Sequence, residues 1–178
     1  MGALFETDED GKNRLWKLPF TPEGKVPHGA SPSLYMRTPF NMSVTRFSPE
    51  PSPHWIAYGS DESGQMEIYI DTFPEPSGKK RISTAGGRYP RWRGDGRELF
   101  YESADHKLMA VSLKLGANAV EFSAPHDLFP LPAVSPAGAT FEPSRDGKRF
   151  LVLMTHEDSA QSLTVIVNWP ALLRKGAQ

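Results

Sequence analysis

The segment with the most evident chemistry runs from residue 88 to 93, Arg-Tyr-Pro-Arg-Trp-Arg, and alternates cations with aromatic rings. Guanidinium groups bind carboxylates and phosphates, and aromatic rings stack on bases. This mixture therefore suits an anion, a peptide carboxylate or single-stranded nucleic acid. The alternative is a strand whose Trp92 points inward while its charged neighbours point to solvent. The residue types alone leave both interpretations open.

No combination of nucleophile and base with a recognisable spacing occurs in the chain. The Gly-x-Ser-x-Gly pentapeptide of serine hydrolases is missing from the sequence. The Gly-rich phosphate loop, the His-Arg-Asp catalytic loop and the Asp-Phe-Gly motif of kinases are missing as well. We therefore predict that this segment is not an enzyme and that it has no catalytic residue.

Metal ligands are not evident either. The five histidines never fall at the i, i+3 or i+4 spacing of ligands on one element, which predicts turn or surface residues. The segment 8–11, Asp-Glu-Asp-Gly, is similar to the start of a calcium loop but lacks the glutamate that closes it. The equivalent segment 61–64 predicts a hairpin turn. We predict neither a metal nor a cofactor.

Charge and composition exclude two classes of partner. The formal net charge is −1, so no global field attracts nucleic acid or anionic lipid. No apolar run is long enough to span a membrane, and we predict no membrane insertion by this segment. The 17 prolines and 15 glycines disfavour helix interiors and suit turns, which predicts many short strands.

The chain repeats itself along its length. The clearest unit covers residues 47–83 and reads as strand, turn, strand, turn, strand, loop, strand. Similar units cover 90–113 and 140–167, and the equivalent Tyr58 and Tyr101 lie 43 residues apart. A period of roughly 40 to 50 residues, with four strands per unit, is typical of the blades of a β-propeller.

We therefore predict an all-β fold, a partial β-propeller of antiparallel four-stranded blades. The expected boundaries are a partial blade at 1–37, blades at 38–83 and 84–131, a final partial blade at 132–169, and a tail at 170–178. The first unit is expected to lack its innermost strand and the last its outermost. Upstream blades of a longer parent would then complete the ring, and the isolated chain would self-associate through its open strand edges.

The predicted blades also indicate where the arginines of the inner strands lie. The innermost strand of each blade borders the central channel of a propeller, and Arg91 aligns with Arg46 and Glu142 in neighbouring units. Arg46, Arg88 and Arg91 are therefore the candidate ligand-binding residues. Large side chains at equivalent strand positions form the predicted core: Trp55, Tyr58, Ile68, Trp92, Leu99, Tyr101, Met109, Phe150 and Val165.

The segments 55–64 (WIAYGSDESG), 86–101 (GGRYPRWRGDGRELFY) and 108–111 (LMAV) together resemble TolB-type, WD-repeat-like propeller blades. More narrowly, they resemble the propeller that follows the kinase domain and a membrane segment in many bacterial serine/threonine kinases. One departure is the turn at 48–53, Ser-Pro-Glu-Pro-Ser-Pro, which is two residues longer than the usual Ser-Pro-Asp-Gly.

The resemblance implies a non-catalytic module that binds a protein or a small ligand, as the sensory or scaffolding end of a larger kinase. It also implies an extracytoplasmic location, on which the residues themselves are silent. Two alternatives stay open: a TolB-like periplasmic adaptor protein, and the propeller domain of a prolyl-oligopeptidase-type peptidase.

Overall fold

The computed structural model describes residues 2–9, 12–21, 23–116, 119–132, 141–154 and 162–167. These residues form fifteen β-strands and no helix, so the predicted all-β class is confirmed. Within the same ranges, no helix has the length and apolar character needed to cross a bilayer.

The two central sheets are the best developed. The second sheet contains β4 (Met42–Phe47), β5 (Trp55–Ser60), β6 (Glu67–Thr72) and β7 (Lys80–Arg81). The third sheet contains β8 (Arg88–Trp92), β9 (Glu98–Glu102), β10 (Lys107–Leu115), β11 (Val120–Phe122) and β12 (His126–Pro130).

A three-stranded sheet lies on each side of this pair in the chain. The first consists of β1 (Gly2–Glu9), β2 (Lys12–Pro19) and β3 (Ser33–Thr38), and the fourth of β13 (Phe141–Pro143), β14 (Arg149–Met154) and β15 (Ser162–Val167). All strand pairs are antiparallel, and the strands follow one another in chain order in every sheet except at the outer edge of the third. This is the predicted meander, because short hairpin connections permit no parallel pairing.

The third sheet departs from the expected four strands. Both β11 and β12 pair with β10, one beyond the other, so the outermost strand is divided into two pieces. Pro125 lies in the interval between them. Proline has no N–H to donate to the ladder, which accounts for the interruption.

Two hairpin turns close through the same backbone conformation. In the turn that joins β8 to β9, the N–H of Gly96 donates to the carbonyl of Arg93 at 2.9 Å, and Gly96 has φ +72°. Gly147 repeats this in the turn between β13 and β14, with a 2.8 Å bond to Ser144 and φ +69°. The Asp-Gly pairs of the sequence therefore close the hairpins through a glycine in the left-handed region.

Three hydrophobic clusters fill the spaces between successive sheets. The first and second sheets enclose Leu15, Tyr35, Ile56, Tyr58 and Tyr69. The second and third sheets enclose Trp55, Ala57, Ile68, Ile70, Ile82, Leu99, Tyr101, Val111, Leu113 and Val120. The third and fourth enclose Phe100, Leu108, Ala110, Leu128, Leu131, Phe141, Phe150 and Val152. Successive residues of one strand thus enter different clusters, as the period of two requires.

Most of the predicted core residues are buried, and two are not. Burial is confirmed for Trp55, Tyr58, Ile68, Leu99, Tyr101 and Phe150. The prediction is wrong for Trp92 and Met109, which are only half-buried at the margin of a cluster. The Val165 side chain lies outside the described part of the structure. Trp92 lies at the seam between β4 and β8, where its indole N–H donates to the carbonyl of Arg46 at 3.1 Å. That bond keeps the polar end of the ring at the surface.

Candidate functional site

The first strands of three successive sheets lie beside one another, with β8 between β4 and β13. Arg46, Arg91 and Glu142 occupy the same register position on these strands, opposite Ala57, Phe100 and Leu151 of the next strand. We call these three charged residues the inner-strand cluster. Their alignment in the sequence is thus an alignment in space.

Arg91 and Glu142 form an ion pair between two sheets. The Arg91 Nε donates to Glu142 Oε2 at 2.6 Å, and Nη1 donates to the carbonyl of Pro90 at 3.0 Å. Arg91 is only 7% exposed, whereas the Glu142 side chain is 61% exposed. The pattern of an inward Trp92 with outward neighbours is therefore wrong for Arg91.

Arg46 is the exposed cation of the cluster. Its Nη1 donates to the carbonyl of Thr45 at 3.1 Å. Partial desolvation and then the charge of Arg91 lower the pKa of the Arg46 guanidinium, while Glu142 raises it. Two cations thus share one carboxylate. The cluster has an excess of positive charge on the side of the sheets where β4, β8 and β13 meet, and an acidic group can neutralise it.

Arg88 lies apart from the inner-strand cluster, although it is on the same strand as Arg91. A β-bulge separates them, because Tyr89 and Pro90 together oppose the single residue Tyr101. Tyr89 has φ +57° at this bulge, and Val44 has φ +37° at the equivalent bulge in β4. Bulges re-aim side chains. Arg88 lies instead at the end of β8, opposite Glu102.

The end of β8 borders a cleft of about 330 Å³. The connector between the second and third sheets passes here between two hairpin turns, and we call the space the connector cleft. Residues from both turns, the connector and β8 line it, among them Gln65, Gly86, Arg88, Tyr89, Glu102 and His106. Arg88 is exposed, and its guanidinium makes no hydrogen bond to another described residue.

A carboxylate and an imidazole form a pair in the wall of this cleft. Glu102 Oε1 lies 2.7 Å from His106 Nδ1, and the carboxylate side chain is only 6% exposed. The imidazole is bound at one nitrogen and 43% of the side chain remains exposed. Glu102 therefore fixes the ring orientation, and Nε2 is the nitrogen that remains for a ligand.

The sequence singled out Arg88 as a candidate ligand-binding residue, but it did not single out Glu102 and His106 in the wall of this cleft. Histidines were predicted to be turn or surface residues, and His106 does lie in a hairpin turn, with φ +58°. Three other turns have glycine at the corresponding position, so a histidine there was the available signal. Among the described residues, no three His, Asp or Glu side chains are grouped so that they could hold a metal ion.

No family model matches the sequence, and a comparison with curated proteins finds no match. Solved structures do match the fold. TolB from Acinetobacter baumannii superposes with a TM-score of 0.60 at 14% identity, over 93% of this chain and 37% of that one. Sqt1 from Chaetomium thermophilum gives 0.53 at 14% identity, over 92% and 42% of the two chains.

A third match is the β-propeller domain of Cps50 (Swd1) from Myceliophteria thermophila, with a TM-score of 0.51 at 10% identity. It covers 90% of this chain and 54% of that domain. At such identities the similarity concerns the fold alone, and it agrees with a β-propeller. This chain spans 37% of the length of TolB and 42% of that of Sqt1.

Proposed function

We propose that this chain, whose sheets are blades of a β-propeller, is a non-catalytic module that binds an acidic group on a protein or small ligand. The carrying observation is the inner-strand cluster, in which Arg46 and Arg91 both interact with the single carboxylate of Glu142. A ligand carboxylate placed beside Arg46 restores the charge balance. Guanidinium groups bind carboxylates through two parallel hydrogen bonds, so the arrangement favours this ligand chemistry.

The cluster is also held in a fixed geometry, which favours binding. Trp92 ties β8 to the backbone of Arg46 itself through its indole N–H. The buried Arg91 is held by Glu142 and by the carbonyl of Pro90. A ligand therefore has little protein structure left to order, and this lowers the entropic cost of binding.

The resemblance of the blades supports a place for the module in a larger protein. On that basis we propose the sensory or scaffolding end of a bacterial receptor-like serine/threonine kinase, outside the cytoplasmic membrane. A TolB-like periplasmic adaptor and the propeller of a prolyl-oligopeptidase-type peptidase are the alternatives. The genomic sequence upstream and downstream separates them, since only the first has kinase motifs upstream and only the last a hydrolase domain downstream.

Binding of an acidic peptide tests the proposed site. The probe is a fluorescein-labelled Gly-Glu-Gly-Glu-Gly peptide with an amidated C-terminus, measured by fluorescence anisotropy. We expect Arg46→Gln to weaken binding about tenfold, because one charged hydrogen-bonding partner contributes on the order of 1.5 kcal/mol. The double variant Arg46→Gln with Arg91→Gln should weaken it further.

Arg81→Gln is the matched control, because Arg81 is an exposed arginine on β7, the outermost strand of the second sheet. Its affinity should equal that of the wild type, and a Gly-Gln-Gly-Gln-Gly peptide should not bind. Equal losses in Arg46→Gln and Arg81→Gln would mean that the peptide follows overall charge. The inner-strand cluster would then not be the site.

The non-catalytic part of the proposal has its own test. The purified chain should show no phosphotransfer, peptidase or esterase activity above background, since it lacks each of the corresponding motifs. Turnover that disappears on a single substitution within this chain would contradict it.

A further inference from the structure

The connector cleft shares strand β8 with the inner-strand cluster but uses different residues, and it has the features of a second binding site. We propose that it binds a carboxylate monoanion through Arg88 and His106. The inference goes beyond the proposed function, because it assigns a separate site and a ligand class to it.

Two adjacent glycines let the connector pack tightly beside the cleft. A Cβ on Gly86 would lie 2.6 Å from the Cβ of Ala104, and one on Gly87 would lie 2.7 Å from Ser83 Oγ. The connector therefore fits closely against its surroundings only because these two positions have no side chain.

The connector is anchored by buried hydrogen bonds. The fully buried Glu67 accepts hydrogen bonds from the Gly86 N–H at 3.1 Å, from Gln65 Nε2 at 2.7 Å, and from the Ser83 hydroxyl. The Gly87 N–H donates to the carbonyl of Met66 at 2.8 Å. The cleft is thus preformed, and ligand binding does not require it to be ordered.

Backbone conformation singles out the same cleft. Three non-glycine residues of the described chain have positive φ, and two of them, Tyr89 and His106, line this cleft. Residues other than glycine rarely have positive φ, and those that do are concentrated at binding sites. At the position of His106, three other turns have Gly64, Gly96 and Gly147.

Charge indicates which anion fits. Arg88 supplies a guanidinium with no hydrogen bond to another described residue. The doubly protonated ring of His106 supplies an Nε2–H donor for the ligand while its Nδ1–H donates to Glu102. A carboxylate has one negative charge and two oxygens for these two groups. A phosphate dianion would bring a second negative charge close to Glu102, so a monoanion is preferred. Tyr89 and Met66 supply apolar wall for the rest of the ligand.

Such a carboxylate can belong to a free small acid or to the C-terminus of a partner polypeptide. Three probes distinguish them: phenylacetate, the peptide N-acetyl-Ala-Ala-Phe with a free C-terminal carboxylate, and the same peptide amidated. Isothermal titration calorimetry on the whole chain measures each affinity. We expect the free peptide or phenylacetate to bind, and amidation or replacement by inorganic phosphate to weaken binding at least tenfold.

Two substitutions locate the binding. Arg88→Gln should weaken carboxylate binding about tenfold, because it removes the charged partner. His106→Gly should weaken it severalfold without lowering the melting temperature, because glycine suits φ +58°. His106→Asn, which also tolerates this conformation, separates loss of the imidazole from a change in the turn. Arg81→Gln should leave binding unchanged.

The outcomes are separable from those of the first proposal, whose peptide carries only side-chain carboxylates. Binding of phenylacetate alone identifies a small-molecule site, and binding of the free tripeptide alone identifies a site for a protein C-terminus. The inference is overturned if neither probe binds the wild-type chain. It is overturned equally if Arg88→Gln and His106→Gly both bind the carboxylate as the wild type does.

Discussion

The two ends of the third sheet are built on the same hairpin turn and use it differently. At one end, the turn 93–96 packs against the turn 144–147, and the N–H of Gly94 donates to the carbonyl of Arg145 at 2.9 Å. We call these two the interlocked turns. At the other end, the turn 103–106 borders the connector cleft. The hydrogen bond that closes it is equivalent, from the His106 N–H to the carbonyl of Ser103 at 3.1 Å.

The difference lies in which residue takes the left-handed position and in how the arginines are used. The interlocked turns have glycine there, and Arg93 donates to both Asp95 and Glu98. The cleft turn has His106 there, with Arg88 exposed nearby. In the interlocked turns, glycine takes the positive φ without strain and the arginine is paired with carboxylates of the same hairpin. In the cleft turn, a non-glycine residue takes the positive φ and the nearby arginine is unpaired among the described residues, which costs some stability but leaves both side chains available to a ligand.

The largest effect is expected at Gly94. A Cβ there would lie 2.6 Å from the backbone carbonyl oxygen of Arg145, which cannot move without separating the two turns. Gly94→Ala should lower the free energy of unfolding by about 2 to 3 kcal/mol in urea denaturation. Gly64→Ala is the matched control, because Gly64 also lies in a turn but has no atom near its Cβ position. Gly64→Ala should lower the free energy of unfolding by about 1 kcal/mol, from the strain of a positive φ alone. Equal losses would contradict the packing argument.

The next largest effect is a difference between Arg93 and Arg88 in their contribution to the free energy of unfolding. Arg93→Ala removes hydrogen-bonded ion pairs with Asp95 and Glu98, at 2.8 Å each, and should cost about 1 to 2 kcal/mol of unfolding free energy. Arg88→Ala should change it by less than about 0.5 kcal/mol. Paired urea titrations measure both. A comparable cost for Arg88→Ala would show that Arg88 serves the fold, which removes the contrast between the two ends.

His106→Gly should change the stability little, and any change should be an increase. Relief of the left-handed backbone favours glycine by about 1 kcal/mol, and loss of the bond to Glu102 costs a similar amount. The melting temperature should therefore stay the same or rise, which is rare for removal of a large side chain. Gly64→His, the reverse exchange in the equivalent turn, should lower it. A clear fall for His106→Gly would mean that the imidazole is there for stability.

The smallest expected effect is the dependence of stability on acidic pH through Asp95. The hydrogen bonds from Arg93 lower the pKa of Asp95 to about 2. Because this pKa lies below that of the unfolded chain, about 3.9, the pairing stabilises the fold above pH 4. That contribution is lost as the pH falls from about 4 toward 2. Carboxyl carbon NMR titration of Asp95 should show this value, and Arg93→Ala should return it toward 4. A wild-type midpoint near 4 would exclude the pairing in solution.

The repeat made most of the fold predictable. The hydrophobic pattern and the Asp-Gly pairs gave the order of strands and turns, and the register alignment of Arg46, Arg91 and Glu142. Each of these depends on neighbours within one unit, which the sequence displays directly.

Features that depend on contacts between units were not predictable. Trp92 was predicted to be buried, but its hydrogen bond to Arg46 lies across a seam between two sheets. Arg88 and Arg91 were treated as equivalent, and only the bulge at Tyr89 separates them. The connector cleft likewise joins two turns from different sheets. A period of two along one strand contains no information on such junctions.

The pairing of each strand with a near neighbour in the chain also sets an order of assembly. As the polypeptide leaves the ribosome, the second sheet has all its strands once Arg81 has emerged, before any residue of the third sheet is available. Loops this short close quickly and at little entropic cost. The finished sheets then dock through the aromatic and aliphatic clusters between them. Synthesis can therefore add blades one at a time to a structure that is already folded.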